Sequence, residues 1–180
     1  MDTMNPPSRQ RAVAWSDPVA TAEAARGMAG LAFLQAIRDG ALPPPPVAVL
    51  LGTELAEVEA GRVVMRLAPG EHLYNPIGSV HGGMIATLLD SVMGCAVHST
   101  LPQGRFYTTL EIKVNFVRAL TEAAGVVSGE GRVVQAGRQV ALAEGRLTGA
   151  NGRLYATAST TCLVFDLPAG GPQMNGANHG

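Results

Sequence analysis

Two periods of apolar residues divide the chain. Residues 17 to 46, "DPVATAEAARGMAGLAFLQAIRDGALPPPP", return an apolar residue at loose helical spacing through Leu31, Leu34 and Ile37, and then at Ala41 or Leu42. Asp17 followed by Pro18 reads as a helix N-cap and the proline tolerated in a first turn. One or two amphipathic helices lying on the main body are predicted, closed by Gly40 and followed by Pro43 to Pro46 as a stiff spacer. From Val47 the period moves towards two. "TELAEVEAGRVVMRLAP" reads as two strands about a Glu-Ala-Gly turn, with Val63, Met65 and Leu67 on one face. Further on, Leu110, Ile112, Val114 and Phe116 alternate with Thr109, Glu111, Lys113 and Asn115, which predicts a strand with one core face. Three more strand-like stretches follow, "AAGVVSGEGRVVQ", "RQVALAEGRLTG" and "GRLYATASTTCLVFD", the last two joined through the tight-turn pair Asn151-Gly152.

Between the two sets of strands lies "NPIGSVHGGMIATLLDSVMG", residues 75 to 94. Met84, Ile85, Leu88, Leu89, Val92, Met93 and Val97 leave no wide polar stripe, so this helix is expected to be enclosed. The predicted class is therefore α+β: a single antiparallel sheet curled around one central helix, with an N-terminal helical extension. The expected divisions are an extension over 1–46, the sheet-and-helix domain over 47–167, and a loose tail over 168–180, rich in Gly and Asn.

One acid, Asp90, interrupts the apolar helix. A buried carboxylate costs several kcal/mol unless something satisfies it, and Thr87 and Ser91 are the polar residues within reach on the same helix. At the helix start, His81-Gly82-Gly83 offers unpaired backbone N–H groups, the positive end of the helix dipole, and glycines that let a carbonyl approach closely. Those are the elements of an oxyanion hole. Asp90 lies roughly 10 to 12 Å further down the axis, too far to serve the same carbonyl. A site using both groups therefore has to be shared between two subunits.

Composition narrows the alternatives. The 180 residues are 47% apolar and only 15% charged, a globular balance that is sticky for a monomer and is relieved by association. A net charge of −1 without a Lys/Arg cluster argues against nucleic-acid binding or a basic membrane patch. Cys95 and Cys162 form no disulfide framework and no zinc spacing, so reduced, buried thiols and no metal site are expected. The N-terminus has no apolar core of a signal peptide, and Asp90 breaks the longest apolar run; a cytoplasmic protein is expected.

Read as N-x-x-G-x-x-H-G-G-x-x-x-x-L-x-D, "NPIGSVHGGMIATLLD" resembles the signature of the hotdog-fold thioesterases, and among them the PaaI-like (phenylacetate-pathway) acyl-CoA thioesterases related to 4-hydroxybenzoyl-CoA thioesterases. The likeness runs from about Val47 to Phe165 and includes "TTLEIKVNFVRAL". It implies hydrolysis of acyl-CoA thioesters, with CoA as part of the substrate and no separate cofactor, by homodimers with a continuous sheet, usually paired into tetramers. By the same resemblance Asn75 and His81 shape the loop and orient the thioester, the Gly82 N–H serves the oxyanion hole, and Asp90 is general base or nucleophile. Thr109, or its neighbour Thr108, stands where a hydroxyl places the water. His81 can equally act only as a helix cap. For the CoA portion the candidates are Gly83, Arg138 beside Gly137, Arg118 and Arg105, and the acyl group is expected along Met84, Leu88 and Val92 or against Tyr107. Other readings of the same fold are a dehydratase acting on acyl thioesters, a non-catalytic acyl-CoA sensor, and a structural oligomer in which Asp90 makes an interface hydrogen bond. The position of the His at the helix start and the Asp two turns in favours the thioesterase over the dehydratase.

Overall fold

Asp17 caps the first helix by accepting the Val19 N–H at 2.9 Å, and Pro18 takes the first helical position, where a missing N–H costs nothing. Helix α1 (Pro18–Arg26) is followed by α2 (Gly30–Arg38), the two expected amphipathic helices. These features come from a computed structural model that describes residues 8–167. Residues 1–7 and the expected loose tail from Pro168 lie outside the described residues.

The spacer prolines hold a surprise. Pro46 opens a third helix, α3 (Pro46–Leu51), where the sequence suggests that extended structure begins at Val47. A proline at N1 favours a helical start as readily as an extended one, and Gly52 at φ 78° then ends the turn in a left-handed conformation. The first strand starts only at Thr53. Strands β1 (Thr53–Glu59) and β2 (Arg62–Leu67) form the expected hairpin, with Gly61 at φ 78° in its turn. The central helix α4 runs over Gly82–His98, and β3 (Arg105–Phe116), β4 (Val127–Ala136), β5 (Val140–Gly149) and β6 (Leu154–Asp166) follow. All pairings are antiparallel, in the order β1-β2-β4-β5-β6-β3. The sheet wraps α4, as the hotdog resemblance implies.

Glycines set how closely the helix approaches the sheet. A Cβ at Gly131 would sit 2.3 Å from the Val92 carbonyl oxygen, and one at Gly129 would meet Leu88 Cγ at 3.2 Å. Gly145 pairs with Gly131 across the sheet, and there a Cβ would lie 3.0 Å from Met93 Cγ. This trough lets Leu88, Leu89, Val92 and Met93 bury completely, at roughly 1.5 to 3 kcal/mol each.

Two expectations about α4 and β3 need correction. The helix is not enclosed all round: Gly83, Thr87, Asp90 and Ser91, spaced at about helical turns, remain half-exposed along one stripe. On β3, a bulge falls between Thr109 and Glu111, so that Leu110 has no partner on β6 and turns outward, 60% exposed. The extra residue exchanges the two faces of the strand. Thr109 consequently faces α4 with Tyr107, while Ile112 and Val114 face the core beyond the bulge. A simple alternation cannot place both sets inside.

Candidate active site

The loop before α4 is held from several directions. Asn75 Oδ1 accepts the N–H groups of Ile77 and Ser79 at 3.1 and 3.2 Å, and its Nδ2 donates to Ser79 Oγ at 3.1 Å. Gly78, at φ 81°, lets the chain reverse between them. Val80 N–H donates to the Leu120 carbonyl and His81 N–H to the Leu73 carbonyl, each at 2.8 Å. The loop therefore enters the helix at a fixed angle. Asn75 spends its side chain on the loop itself.

His81 caps the helix. Its Nδ1 accepts the Gly83 N–H at 2.9 Å, and its carbonyl accepts the Met84 N–H at 2.9 Å. With Nδ1 engaged as an acceptor, the ring carries its proton on Nε2. The Gly82 N–H, by contrast, has no acceptor among the described residues. It opens beside a cavity of about 360 Å³ lined by Asn75, Ser79, Gly82, Phe116 and Arg118. The Phe116 ring crosses Gly82 so closely that a Cβ there would lie 3.1 Å from its Cζ. Arg118 is tied down by a bond from Nη1 to the Leu154 carbonyl at 2.8 Å.

Asp90 has different surroundings. Thr109 Oγ1 donates to its Oδ1 at 2.9 Å across the gap between β3 and α4. The helix hydroxyls that could have satisfied it point elsewhere: Thr87 donates to the Gly83 carbonyl at 2.8 Å and Ser91 to the Thr87 carbonyl at 2.7 Å. Oδ2 has no donor among the described residues, and the carboxylate is half-exposed. Thr108 points outward, which decides between the two threonines.

Beside Asp90 stand Tyr107 and Cys95. Burial, reinforced by neighbouring groups that include Cys95 and Asp90, pushes the Tyr107 phenol well above its ordinary range. Burial and then the Asp90 charge push the Cys95 thiol up to about 12. A thiol so reluctant to ionise is no nucleophile. Both residues line an apolar cavity of about 550 Å³ that extends under α1 and α2. Leu88 and Val92 do not reach it. They are fully buried against β4, so the acyl path expected along them is core, and only the Tyr107 alternative borders open space.

The chain thus gathers the candidates into two groups on one helix. Asn75, Gly82 and Arg118 share a cavity at its N-terminus, with Gly83 and His81 in the cap, while Asp90 and Thr109 pair two turns on. Gly137 and Arg138 join neither group. They form the β4–β5 turn, where the Gly137 N–H donates to the Val140 carbonyl at 2.9 Å. Arg138 lines a separate cavity of about 410 Å³ with Arg105, whose guanidinium donates to the Arg138 carbonyl and pairs with Asp166 at 3.2 Å. Ser79, which completes the Asn75 loop, and the cavity walls Phe33 and His98 were not anticipated from the sequence. The spacing Asn75 to Ser79 around a glycine was the available signal for the first. No helix among the described residues is long and apolar enough to cross a membrane.

Three comparisons place the chain among known proteins. Residues 77–156 match the thioesterase superfamily model. A solved structure, a phenylacetic acid degradation-related protein of Ralstonia eutropha JMP134 and presumed thioesterase, is 32% identical with a TM-score of 0.66, covering 72% of this chain and 98% of that one. A presumed esterase of Halobacterium salinarum is 33% identical over 99 residues, which span 52% of this chain and 64% of that protein. The 1,4-dihydroxy-2-naphthoyl-CoA hydrolase of Listeria monocytogenes is 24% identical over 114 residues, 63% of this chain and 91% of the hydrolase.

Proposed function

The chain belongs to the thioesterase superfamily, and from that premise we propose that it hydrolyses acyl-CoA thioesters at sites shared between the two subunits of a homodimer. One observation carries this reading. The free Gly82 N–H and the half-exposed Asp90 carboxylate sit on one rigid helix, eight residues and roughly 12 Å apart, and cannot meet on one carbonyl within a chain. A two-fold axis that sets Asp90 of one subunit against Gly82 of the other brings them together twice. Strand β3 supplies the surface for such a pairing. It is a twelve-residue edge strand with Leu110 and Phe116 exposed, a feature that an isolated protein would expose to aggregation. A second contact, through the exposed outer-face residues Val140, Leu142 and Leu163, fits pairing of dimers into a tetramer.

The chemistry follows from the parts. The substrate carbonyl oxygen lies at the Gly82 N–H, where the N–H and the positive end of the helix dipole stabilise the charge of the tetrahedral intermediate. Thr109 donates its hydroxyl proton to Asp90, which leaves its oxygen free to accept from a water. In the general-base form, Asp90 takes a proton from that water as its oxygen adds to the carbonyl carbon. Collapse of the intermediate breaks the C–S bond, and the departing CoA thiolate takes the proton back. In the nucleophilic form, a carboxylate oxygen of Asp90 adds instead, CoA leaves, and water cleaves the resulting anhydride. Neither form requires a cofactor beyond the CoA of the substrate. The Arg118 guanidinium at the Gly82 cavity suits the CoA phosphates. The names of the Listeria and Ralstonia relatives favour an aromatic acyl group, and the apolar cavity beside Asp90 also admits a short or medium aliphatic one.

The test is thiol release from aromatic and aliphatic acyl-CoAs by the wild type and Asp90→Asn. Turnover by the wild type alone, with both proteins folded, supports hydrolysis through Asp90. Binding without turnover makes the protein an acyl-CoA sensor. A single turnover in oxygen-18 water that leaves label in the Asp90 carboxylate identifies the nucleophilic form, with water adding to the Asp90 carbonyl of the anhydride, since the general-base form puts label only in the product acid.

A further inference from the structure

The 550 Å³ cavity lined by Tyr107 and Cys95 has walls of two origins. The sheet-and-helix body contributes Tyr107, Cys95 and His98. The N-terminal segment contributes Phe33, Leu34 and Ile37 of α2. Without α2 that space would be an open apolar trough along the body. With it, the volume lies in the range of pockets that enclose a small ligand.

Helix α2 is not loosely laid over this space. Its first N–H, on Gly30, donates to the Leu101 carbonyl at 3.0 Å, and a Cβ at Gly30 would lie only 1.8 Å from the His98 carbonyl oxygen. Backbone touches backbone there, a contact that only glycine permits. One turn later the Phe33 ring meets His98 edge-on, with centroids 5.8 Å apart and planes at 87°. The height of α2 above the last turn of α4 is thereby set, and the width of the cavity with it. His98 is 7% exposed, its Nδ1 has no partner among the described residues, and burial keeps its pKa below the ordinary 6.5, so this part of the wall is uncharged at neutral pH. The charged residues in the lining are the exposed Arg38, already paired with Asp39 at 2.8 Å, and the exposed Glu54, an anion that adds nothing for a phosphate. Such a lining takes hydrocarbon or an aromatic ring and rejects phosphate.

Asp90 is not itself in the cavity wall, but two residues that are, Tyr107 and Cys95, lie close enough to feel its charge. Tyr107 lies two residues before Thr109 on the same face of β3, and Cys95 five residues after Asp90 on α4. We infer that α2 is the gauge of the acyl group: Phe33, Leu34 and Ile37 form the far wall of the acyl chamber and set the size of acyl group the enzyme accepts. This rests on the thioester-hydrolase reading above. The N-terminal segment is then part of the specificity of the site rather than a cover for apolar sheet.

The experiment compares kcat/KM along a series from butanoyl- to hexadecanoyl-CoA, with phenylacetyl-CoA added, for the wild type, Ile37→Trp and Phe33→Ala. Ile37→Trp fills the chamber and is expected to lose about tenfold or more on the largest acyl groups the wild type accepts, while the smallest stay within about threefold. Phe33→Ala is expected to move the optimum to longer chains. Circular dichroism on both variants confirms that they are folded. Length profiles that match the wild type within about twofold in both variants overturn the gauge. If the wild type cleaves no thioester, the proposed activity falls, and calorimetric binding of the free carboxylic acids of the same lengths decides the chamber on its own. Binding that Ile37→Trp abolishes for the longer acids supports it; no binding to the wild type, or equal binding to the variant, overturns it.

Discussion

The two ends of α4's working stretch are built from different materials. At the N-terminus the group we propose to be functional is backbone, the Gly82 N–H, and side chains hold the loop around it: Asn75 and Ser79 tie the loop, and His81 caps Gly83. Two turns on, the group proposed to act is a side chain, Asp90, whose one hydrogen-bond donor among the described residues, Thr109, lies on a different element. Among the described residues the first group is a donor without an acceptor, and the second is an acceptor with spare capacity. In the proposed reading each is half of a site. The helix that keeps them apart in one chain also fixes the distance at which a partner must supply the complement.

That contrast can be broken at either end, and the largest effect is expected at Asp90. Asp90→Asn preserves shape and removes the base or nucleophile; kcat should fall by roughly 10² to 10⁴, with thermal unfolding within a few degrees of the wild type. At the other end, Gly82→Val drives a side chain towards the Phe116 ring and crowds the free N–H, and kcat should fall by roughly 10² to 10³ in a steady-state assay. Asn75→Ala acts at one remove. It deletes the bonds that shape the loop, so activity should drop by about tenfold, and a denaturant titration should show a loss of roughly 1 to 3 kcal/mol. The smallest effect is one of pH at the far end of the helix. His98 is held neutral by burial, with its pKa below 6.5, so below that pH the unfolded chain binds a proton that the folded one does not. Stability should be level above about pH 6.5 and decline from there towards the folded pKa, and His98→Phe should flatten the decline measured by thermal melts between pH 7 and 5.

The sequence was most legible where local chemistry decides the structure. The Asp17-Pro18 start, the β1–β2 hairpin and the double-glycine opening of α4 follow from spacing and capping, whereas the pairing of β3 with β6 at the sheet edge does not. Asp90 stood out because a carboxylate in an apolar run demands an explanation. What escaped depends on contacts between distant residues. The bulge at Leu110 leaves no mark in an alternating stretch, yet it turns Thr109 towards Asp90 and Leu110 out to the edge. The helix α3 came from prolines that suit a helix start and an extended spacer equally. The half-exposed stripe on α4 was hidden because Gly83, Thr87 and Ser91 are small enough to pass as core in an apolar helix. The chamber under α2 needs Gly30 against His98, a contact sixty-eight positions apart in the chain.

The most direct test mixes the two broken ends. Asp90→Asn and Gly82→Val subunits, each nearly inactive alone, are co-expressed in equal amounts under two affinity tags. In a mixed dimer with shared sites, one site collects both defects and the other neither, so a random mixture, half of it mixed dimers, should recover about one quarter of wild-type activity, all of it in the doubly tagged fraction. A doubly tagged fraction as inactive as either parent would contradict the shared site and place Gly82 or Asp90 outside the chemistry.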